Sequence, residues 1–495
     1  MLHTISPEDM REMERAFLDG TGYPSLLLME HAAQAVVDEL SRLAPQGSRV
    51  LFLCGGGNNG GDGCAAARLW MQRGGRADVW LLRSPSQMRG DAGINAALLS
   101  VCGASMQVLY SALPPIPADT AAVVDALYGT GLSRAIEGAA LAAVQAVNAS
   151  GLPVVAVDIP SGVDGATGQV LGEAVRADVT VAFHRAKHGH LLYPGRALSG
   201  RLVVADIGIL PEWDGAQGYD VLQDEDVAAI LPARPEDGHK GTFGHVLVVA
   251  GSEGMAGAAC LCAQSALRAG AGLVTAACPQ PVLPALQHTV PCAMARAVCD
   301  GTQLNEYAAP ALERLAHGKR ALAVGPGLGM GEGVWQAIAP LIASDLPKVV
   351  DADALNLLAK YGGPVGCHTV LTPHPGEMAR LTGLPVEEIL AAPADAALQL
   401  AQDMGCCVLL KGATTVIAQG EDVALNVTGC SAMATGGSGD VLTGVIAGLM
   451  AQGMPPMDAA RVGAHVHGRA GEAAAARLGA RAVTAMDISA ALRIE

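Results

Sequence analysis

A glycine-rich run with one carboxylate stands near the carboxyl terminus, where residues 434–440 read Ala-Thr-Gly-Gly-Ser-Gly-Asp. Glycines allow consecutive backbone N–H groups to point toward one place, because no Cβ atom interferes. The apolar stretch of residues 441–449 predicts a helix, and the amino end of a helix favours an anion. Asp440, in the first turn, would lie beside that anion and is suited to take a proton or hold a cation. A capped glycine turn without chemistry is the alternative.

A second glycine-rich loop occupies residues 55–63, which read Gly-Gly-Gly-Asn-Asn-Gly-Gly-Asp-Gly. It separates a predicted strand from a helix predicted to begin at Cys64. This order of strand, loop and helix is typical of phosphate-binding loops at the carboxyl edge of a parallel sheet. The run contains no Walker motif. The side-chain oxygens of Asn58, Asn59 and Asp62 strengthen the prediction of a binding site.

Two further predicted strands end in an aspartate. Asp125 leads into Tyr-Gly-Thr-Gly-Leu at residues 128–132, and Asp158 leads into Ile-Pro-Ser-Gly at residues 159–162. The carboxyl ends of neighbouring parallel strands share one crevice. We therefore predict that Asn59, Asp125 and Ser161 meet around a hard cation, which prefers oxygen ligands. Asp158 is a candidate acid or base. The alternative is that both aspartates only cap the turns that follow them.

Several segments of the second half also contain glycines or polar residues next to a predicted strand. They are residues 239–244, 251–259, 325–329, 351–356, 372–377 and 411–415. Because ligands of open α/β sheets bind at the carboxyl ends of the strands, we predict that these segments converge on Asp440. Taken alone, Lys411 is compatible with a solvated lysine and His374 with a turn histidine.

Three histidines of the first half, His184, His188 and His190, lie close together in the sequence. Their spacing fits no single helical face. We predict a solvated loop here rather than a metal site.

The elements that must position these residues are strands of two parallel sheets. Short runs of Val, Ile and Leu without polar alternation indicate strands covered on both faces. In the first half we predict strands at residues 49–54, 77–82, 121–125, 153–158, 179–183 and 202–207. In the second half we predict them at residues 245–250, 273–277, 322–324, 349–351, 370–372 and 407–410, with a hairpin at 416–418 and 423–426. The fold class is therefore α/β, and the first half of the chain forms a doubly wound, Rossmann-like αβα sandwich.

The length of 495 residues exceeds what one core supports, so at least two domains are expected. The strand–helix rhythm breaks between residues 210 and 240, where prolines and acidic residues predict a linker around a short helix. No repeat relates the halves. We predict two different domains, at residues 1–218 and 219–495.

Composition excludes several classes of partner. A net charge of −16 without a Lys/Arg cluster argues against nucleic acid, and 3% aromatic residues leave no stacking surface for single strands. No apolar run reaches the roughly 18 residues of a membrane span, and the polar amino terminus is not a signal peptide. The 12 cysteines include no CxxC pair, which favours the reducing cytoplasm.

Residues 5–215 resemble the epimerase domain of the NAD(P)H-hydrate repair enzymes, which is related to apolipoprotein A-I binding protein. The resemblance is carried by Leu-Met-Glu at residues 28–30, the glycine loop, residues 125–132 and 158–162, Lys187, and Ala-Asp-Ile-Gly at 205–208. It implies potassium on Asn59, Asp125 and Ser161, and the hydrated nicotinamide near Asp158. It also implies that the phosphates and ribose of the hydrate contact Asn58, Asn59, Gly60, Gly61, Asp62, Gly129, Thr130, Gly131, Leu132, Ser133, Arg134 and Ala135.

Residues 235–490 resemble the ribokinase-like superfamily, and within it the ADP/ATP-dependent NAD(P)H-hydrate dehydratases. The resemblance implies that Asp440 is the base acting on the C6 hydroxyl of the S-hydrate. The amides of residues 436–439 would stabilise the transferring phosphoryl group, and Mg²⁺ would bridge the phosphates. The implied nucleotide contacts are Lys411, Gly412, Ala413, Thr414, Thr415 and Gly439. The implied hydrate contacts are Ala258, Gly327, His374 and Asp440. The sequence departs from the family at Cys430, Ser431 and Ala432.

Together these resemblances predict a bifunctional enzyme that repairs hydrated NADH and NADPH. The domain at residues 1–218 would epimerise the R- and S-hydrates. The domain at residues 219–495 would dehydrate the S-hydrate at the expense of ADP, or of ATP. We expect a cytoplasmic homo-oligomer. One alternative is a ribokinase-type kinase for a vitamin alcohol, fused to an accessory Rossmann-like domain. Another is that the domain at residues 1–218 binds a ligand without catalysis.

Overall fold

A computed structural model describes residues 1–110, 113–215 and 217–494. The chain divides into two compact units. One is His3–Tyr219, and the other combines Met1–Leu2 with Asp220–Glu495. Each unit contains one sheet flanked by helices, which confirms the predicted α/β fold class.

The first unit is built on a seven-stranded parallel sheet. The short strand β1 (Leu2–His3) precedes it in the chain and joins the second sheet. The strands of the first sheet are β2 (Arg49–Cys54), β3 (Arg76–Leu81), β4 (Ser105–Val108), β5 (Thr120–Ala126), β6 (Val154–Val157), β7 (Val179–Phe183) and β8 (Arg201–Ala205). Their order is β4-β3-β2-β5-β6-β7-β8, and each neighbouring pair is parallel. This order is doubly wound, with its switch point between β2 and β5.

Both faces of this sheet are covered by helices. They are α1 (Pro7–Thr21), α2 (Ser25–Leu43), α3 (Asn58–Gln72), α4 (Gly90–Val101), α5 (Gly138–Ser150) and α6 (Gly195–Leu198). Along β2, Phe52 packs in the core that includes α2 and α3, whereas Leu51 and Leu53 pack in the core that includes α5. Burial on both faces explains why the strand is apolar at consecutive positions.

The six strands predicted in this half are confirmed within one or two residues at each end. The strand β4 was missed, because its Ser-Met-Gln-Val sequence is half polar and lies at the sheet edge. The prediction that the helix after the glycine loop begins at Cys64 was wrong. Helix α3 begins at Asn58, so the second part of the glycine-rich run forms its first turns. Glycine permits this because a Cβ atom at Gly61 would lie 2.7 Å from the Ala92 Cα of helix α4.

The second unit is built on an eleven-stranded sheet of order β1-β9-β18-β17-β16-β15-β14-β13-β10-β11-β12. Its further strands are β9 (Asp220–Val221), β10 (His245–Val249), β11 (Leu273–Pro279), β12 (Met294–Cys299), β13 (Ala321–Val324), β14 (Lys348–Val350), β15 (Thr369–Leu371), β16 (Cys407–Leu410), β17 (Thr415–Gln419) and β18 (Asp422–Asn426). The seven strands that lie between β16 and β12 in this sheet order, including these two, are parallel to their neighbours. The strands β17 and β18 form the predicted antiparallel hairpin. The strands β9 and β12 were not predicted.

Helices α7 to α18 complete this unit. They are α7 (Asp224–Ile230), α8 (Ala256–Arg268), α9 (Leu283–Thr289), α10 (Ala309–Ala316), α11 (Glu332–Ala343), α12 (Asp353–Tyr361), α13 (Pro375–Thr382), α14 (Val386–Ala391), α15 (Pro393–Met404), α16 (Ser438–Ala451), α17 (Pro456–Leu478) and α18 (Ala485–Ala491). Helix α16 packs closely on α8, and glycine at position 444 permits this contact. A Cβ atom at Gly444 would lie only 2.2 Å from the Cys262 carbonyl oxygen. No helix in the described part of the chain combines the length and apolarity needed to cross a membrane.

Candidate active sites

The first unit contains a cleft of about 790 Å³ at the carboxyl edge of its sheet. The predicted residues that line it are Asn58, Asn59, Asp62, Gly129, Thr130, Gly131, Leu132, Arg134 and Asp158. The structure therefore brings the glycine loop, the loop after β5 and the end of β6 together. The predicted residues Gly60, Gly61, Asp125, Ser133, Ala135 and Ser161 do not line this cleft.

Asp125 and Ser161 lie together beneath the cleft, and both are fully buried. The Ser161 hydroxyl donates to Asp125 Oδ1 at 2.7 Å, and the Ser161 N–H donates to Oδ2 at 2.8 Å. The Tyr128 N–H donates to Ser161 Oγ at 2.9 Å. The Asn59 amide, oriented so that its nitrogen donates to the Val157 carbonyl, accepts from the Gly129 N–H at 3.3 Å. All three predicted cation ligands thus contact the segment around residues 127–129.

The Asp125 carboxylate receives hydrogen bonds only from neutral groups among the described residues. Burial outweighs these bonds and raises the pKa of Asp125 to about 6. A monovalent cation beside this carboxylate would offset the cost of burying its charge. The oxygen atoms of Asn59, Asp125 and Ser161 therefore form a donor set that fits a hard cation.

Asp158 forms a buried ion pair with Lys187, whose Nζ donates to Oδ1 at 2.7 Å and to the Phe183 carbonyl at 3.0 Å. Burial raises the pKa of Asp158, but the Lys187 ammonium outweighs it and holds this pKa below its usual value. Asp158 has a φ of 63°, a strained conformation for a residue with a Cβ atom. Both groups of the pair line the cleft.

His190 fixes the backbone of Asp158. Its Nδ1 accepts from the Lys187 N–H at 2.8 Å, so its Nε2 carries the hydrogen and donates to the Asp158 carbonyl at 2.7 Å. Burial, together with the Lys187 ammonium, lowers the pKa of His190 to about 4, so the imidazole is neutral. This ring therefore helps to hold the strained backbone in place.

The prediction that the histidines near Lys187 form a solvated loop was wrong. His188 and His190 are buried, and the His188 ring stacks on Tyr219 with 3.8 Å between ring centroids. Burial lowers the pKa of His188 to about 4. Among the described residues, no group of three or more His, Cys, Asp or Glu side chains could hold a metal ion.

Two further carboxyl groups, those of Glu14 and Asp62, line the same cleft. Burial and the nearby Asp158 carboxylate raise the pKa of Asp62 well above its usual value, and burial raises the pKa of Glu14. Both shifts favour the neutral form of the carboxyl group, because burial penalises its charge.

In the second unit, Asp351 ends β14 and organises the centre of the candidate site. Lys411 Nζ donates to Asp351 Oδ1 at 2.8 Å, and the Thr443 hydroxyl donates to Oδ2 at 2.7 Å. Burial raises the pKa of Asp351, but Lys411 outweighs it and holds this pKa below its usual value. Lys411 is also 3.7 Å from Glu377 Oε2, and these carboxylates outweigh burial to raise its pKa. Burial raises the pKa of Glu377.

Asp440 lies in the first turn of α16, as predicted. The helix is preceded by Gly437, whose φ of 90° favours glycine. Burial and the Asp351 carboxylate raise the pKa of Asp440 to about 7, although Lys411 opposes the shift. The neighbouring Gly439 is close to the same groups, since a Cβ atom there would lie 3.5 Å from Lys411 Nζ. The structure thus brings Gly439, Asp440 and Lys411 together.

The predicted hydrate contacts occupy neighbouring loops. A Cβ atom at Gly327 would lie 3.1 Å from the Ala258 Cβ, so these two positions touch. His374 caps α13, with Nδ1 accepting from the N–H groups of Gly376 and Glu377. Its side chain is exposed, and burial together with Lys411 lowers its pKa. These contacts hold the imidazole at the carboxyl end of β15.

Of the remaining predicted nucleotide contacts, Gly412, Ala413 and Thr414 follow Lys411 in the turn between β16 and β17, and Thr415 begins β17. Ser431 and Ala432 form a short 3-10 helix, and Cys430 before it is exposed. The segment at residues 239–244 was predicted to converge on Asp440, and this was wrong. It precedes β10 and pairs with the start of β11, so it lies at the amino edge of the sheet.

Sequence reasoning assigned no role to Glu14, Asp351, Glu377 and Lys187. Lys187 is among the residues that carry the resemblance to the epimerase domain, but the polar sequence around it does not reveal that it is buried. Asp351 directly follows an apolar strand and lies in the segment of residues 351–356 that was predicted to converge on Asp440, but its carboxylate was given no role of its own. Nothing in the sequence pairs Asp351 with Lys411, which is 60 residues away.

Family profiles match both units. The profile described as YjeF-related protein N-terminus matches residues 25–189, and the profile described as NAD(P)H-hydrate dehydratase matches residues 246–493. The chain is 41% identical to the bifunctional NAD(P)H-hydrate repair enzyme Nnr of Moorella thermoacetica, covering 98% of this chain and 95% of that protein. It is 39% identical to the Nnr protein of Thermofilum pendens, covering 97% and 93%.

A solved structure, that of a ribokinase-like superfamily protein from Enterococcus faecalis, is similar to part of the chain. It is 26% identical, covers 56% of this chain and 95% of its own, and has a TM-score of 0.51.

Proposed function

The chain belongs to the family of bifunctional NAD(P)H-hydrate repair enzymes, and we propose that it restores hydrated NADH and NADPH through two separate sites. The second unit dehydrates the S-hydrate at the expense of ADP, giving AMP and phosphate. The first unit interconverts the R- and S-hydrates, so that both forms can be repaired. The observation that carries the proposal is Asp440, a carboxyl group with a pKa of about 7 in the first turn of a glycine-initiated helix.

The dehydration begins at the C6 hydroxyl of the hydrate, because hydroxide itself is a poor leaving group. Asp440 takes the hydroxyl proton while the oxygen attacks the terminal phosphorus of the nucleotide, releasing AMP. The N–H groups of residues 436–439 and the Lys411 ammonium offset the charge that moves during transfer. The ring nitrogen then expels phosphate, and loss of the C5 proton restores the dihydronicotinamide. Lys411 with Gly412, Ala413, Thr414 and Thr415 holds the nucleotide in this proposal.

The hydrate itself is held opposite Asp440. The loops that carry Ala258, Gly327 and His374 form this part of the proposed site. Ala258 and Gly327 are in contact, so in this proposal they form one continuous part of the wall that faces the hydrate. The exposed His374 imidazole is available for a polar contact with the hydrate.

The epimerisation requires a bond at C6 to break and form again on the other face. The Asp158–Lys187 pair supplies both an acceptor and a donor of protons in one buried place. Asp158 is a carboxylate at neutral pH and can take the proton of the C6 hydroxyl as the C6–N1 bond breaks to give an aldehyde, while Lys187 protonates the released ring nitrogen. Attack of that nitrogen on the other face of the aldehyde, with both protons returned, closes the ring of the other epimer. The phosphates and ribose of the dinucleotide lie along the glycine loop and the residues 129–135 loop in this proposal.

Two cations complete the proposal. Potassium bound to the oxygens of Asn59, Asp125 and Ser161 would neutralise the buried carboxylate and fix the loop around residues 127–129. Mg²⁺ accompanying the nucleotide would neutralise its phosphates, and the buried Glu377 beside Lys411 is a carboxylate suited to hold it. We also propose that the enzyme is a cytoplasmic homo-oligomer, which light scattering and cell fractionation would test.

A time course with pure R-hydrate tests the two activities in one experiment. Without nucleotide, chiral chromatography should show conversion into a mixture of R and S forms and no reduced cofactor. With ADP and Mg²⁺, both forms should disappear as NADH or NADPH appears with one AMP per molecule. Consumption of nucleotide with a vitamin alcohol but not with the hydrate would instead support the kinase. Absence of R-to-S conversion would leave the first unit as a binding domain.

A further inference from the structure

Arg83 is a cation of the first cleft for which the proposed chemistry has no role. It follows β3, lines the cleft and is exposed. Its side chain lies against the glycine loop, since a Cβ atom at Gly56 would lie 2.5 Å from the Arg83 Cδ. Lys187 and Arg68 of the same unit pair with Asp158 and Glu30, whereas no carboxylate of the described residues forms an ion pair with Arg83.

The strand order gives a bound dinucleotide a direction. The adjacent strands β3, β2, β5 and β6 end at Arg83, the glycine loop, the residues 129–135 loop and Asp158, respectively. Three spacings of about 4.8 Å separate β3 from β6, so the two outer ends are about 14 Å apart. If the hydrated ring lies at Asp158, the pyrophosphate lies over the middle strands at the two loops. The adenosine ribose then lies at the end of β3.

The chemistry at this strand end distinguishes the two forms of the cofactor. In doubly wound dinucleotide folds, a carboxylate about 20 residues after the glycine loop binds the free 2′-hydroxyl of NAD, whereas a nearby arginine accommodates the 2′-phosphate of NADP. Here the residues after β3 are Leu82, Arg83 and Ser84, without a carboxylate. Arg83 is 20 positions after Gly63, the last residue of the glycine-rich run.

We propose that Arg83 binds the adenosine 2′-phosphate and makes the hydrate of NADPH the preferred substrate of the first unit. The guanidinium can donate two parallel hydrogen bonds to one phosphate group. Arg134 is less suited to this task, because it follows β5, next to the strand that carries Asp158. The inference rests on the proposed epimerase activity and adds a substrate preference to it.

The test compares R83A with a matched control, R76A, by measuring kcat/KM for epimerisation of both hydrates. Arg76 begins the same strand at the opposite edge of the sheet, where it pairs with Asp119. R83A should lower kcat/KM for the NADPH hydrate about tenfold to a hundredfold, the usual range for losing hydrogen bonds to a charged group. R83A should change kcat/KM for the NADH hydrate less than about threefold. R76A should change kcat/KM for either hydrate less than about threefold.

Binding of adenosine 2′,5′-bisphosphate, measured by calorimetry on wild type and R83A, gives a readout that needs no turnover. The difference between the two proteins isolates the first cleft, because the second site is the same in both. An equal loss for both hydrates in R83A would show that Arg83 binds the pyrophosphate instead, and would overturn the inference. Unchanged preference and unchanged bisphosphate binding would overturn it as well. If wild type epimerises neither hydrate, the proposed activity fails, and that result is distinct from failure of the preference.

Discussion

The raised pKa of Asp440 should make the rate of dehydration depend on pH. Two substitutions should shift this pH profile in opposite directions. A base must be ionised to act, and burial with the Asp351 carboxylate raises the pKa of Asp440 from 3.8 to about 7. This shift corresponds to roughly 4 kcal/mol in favour of the neutral form. The kcat/KM for dehydration of the S-hydrate should therefore rise about tenfold between pH 6 and pH 8, because one pH unit below its pKa only about a tenth of a group is ionised.

Asp351→Asn and Lys411→Met change this pKa with opposite signs. The first removes a like charge, so the pKa of Asp440 should fall and the profile should move to lower pH. The second removes an opposite charge, so the pKa should rise and the profile should move to higher pH. A single charge at short range shifts a neighbouring carboxyl pKa by about one unit or more, which gives the expected size of each displacement. Asp440→Asn should remove the profile together with the activity while ADP still binds.

The assay is the recovery of reduced-nicotinamide absorbance from pure S-hydrate, with ADP and Mg²⁺ at saturation between pH 5.5 and 9. The three variants are compared with wild type under identical conditions, and circular dichroism confirms that each is folded. Displacement of both profiles in the same direction would refute the electrostatic reasoning. So would a rate that falls in both variants without any change in pH dependence, because that pattern indicates a structural defect alone. Normal turnover by Asp440→Asn would refute the assignment of the base.

Three further predictions concern the first unit. Asp158→Ala and Lys187→Met should each lower R/S exchange by at least about a hundredfold, the usual contribution of an acid or base, while S-hydrate dehydration is unchanged; normal exchange in either would exclude that residue. Replacing potassium with tetramethylammonium should slow exchange but not dehydration, and Asp125→Asn should remove this potassium dependence. Ser161→Ala should destabilise the first unit by about 1–2 kcal/mol in thermal unfolding, because Asp125 loses a buried donor; unchanged unfolding would contradict that role.

Two active sites in one chain would supply the two activities in equal amounts. The R-hydrate is a dead end for a stereospecific dehydratase, so an epimerase in the same chain allows it to be repaired. The Asp158–Lys187 pair and the Asp440 group each lie within their own unit. Inactivating either should therefore leave the other working, which the variants above measure.

The sequence by itself determined most of the strands and helices, and the strand and helix ends at which the candidate catalytic residues lie. Runs such as residues 49–54 and 179–183 are apolar at most positions because both faces of the strand are buried, and the absence of polar alternation makes this visible in the sequence. Asp125, Asp158 and Asp440 were located for the same reason, since each follows directly on such a run or precedes one. The glycine-rich run predicted a helix start, but not where the helix begins, because glycine disfavours a helix locally and the close approach of Gly61 to Ala92 of α4 is a tertiary contact.

The tertiary structure alone decided which groups meet. Lys187 reaches Asp158 across 29 residues and Lys411 reaches Asp351 across 60, and no local pattern specifies either partner. Burial is likewise a property of the assembled unit: it makes His190 neutral and raises the pKa of Asp440 to about 7. The charge state of each group depends on solvent exclusion and on neighbours that are distant in sequence, and these are set only when the sheets and helices pack.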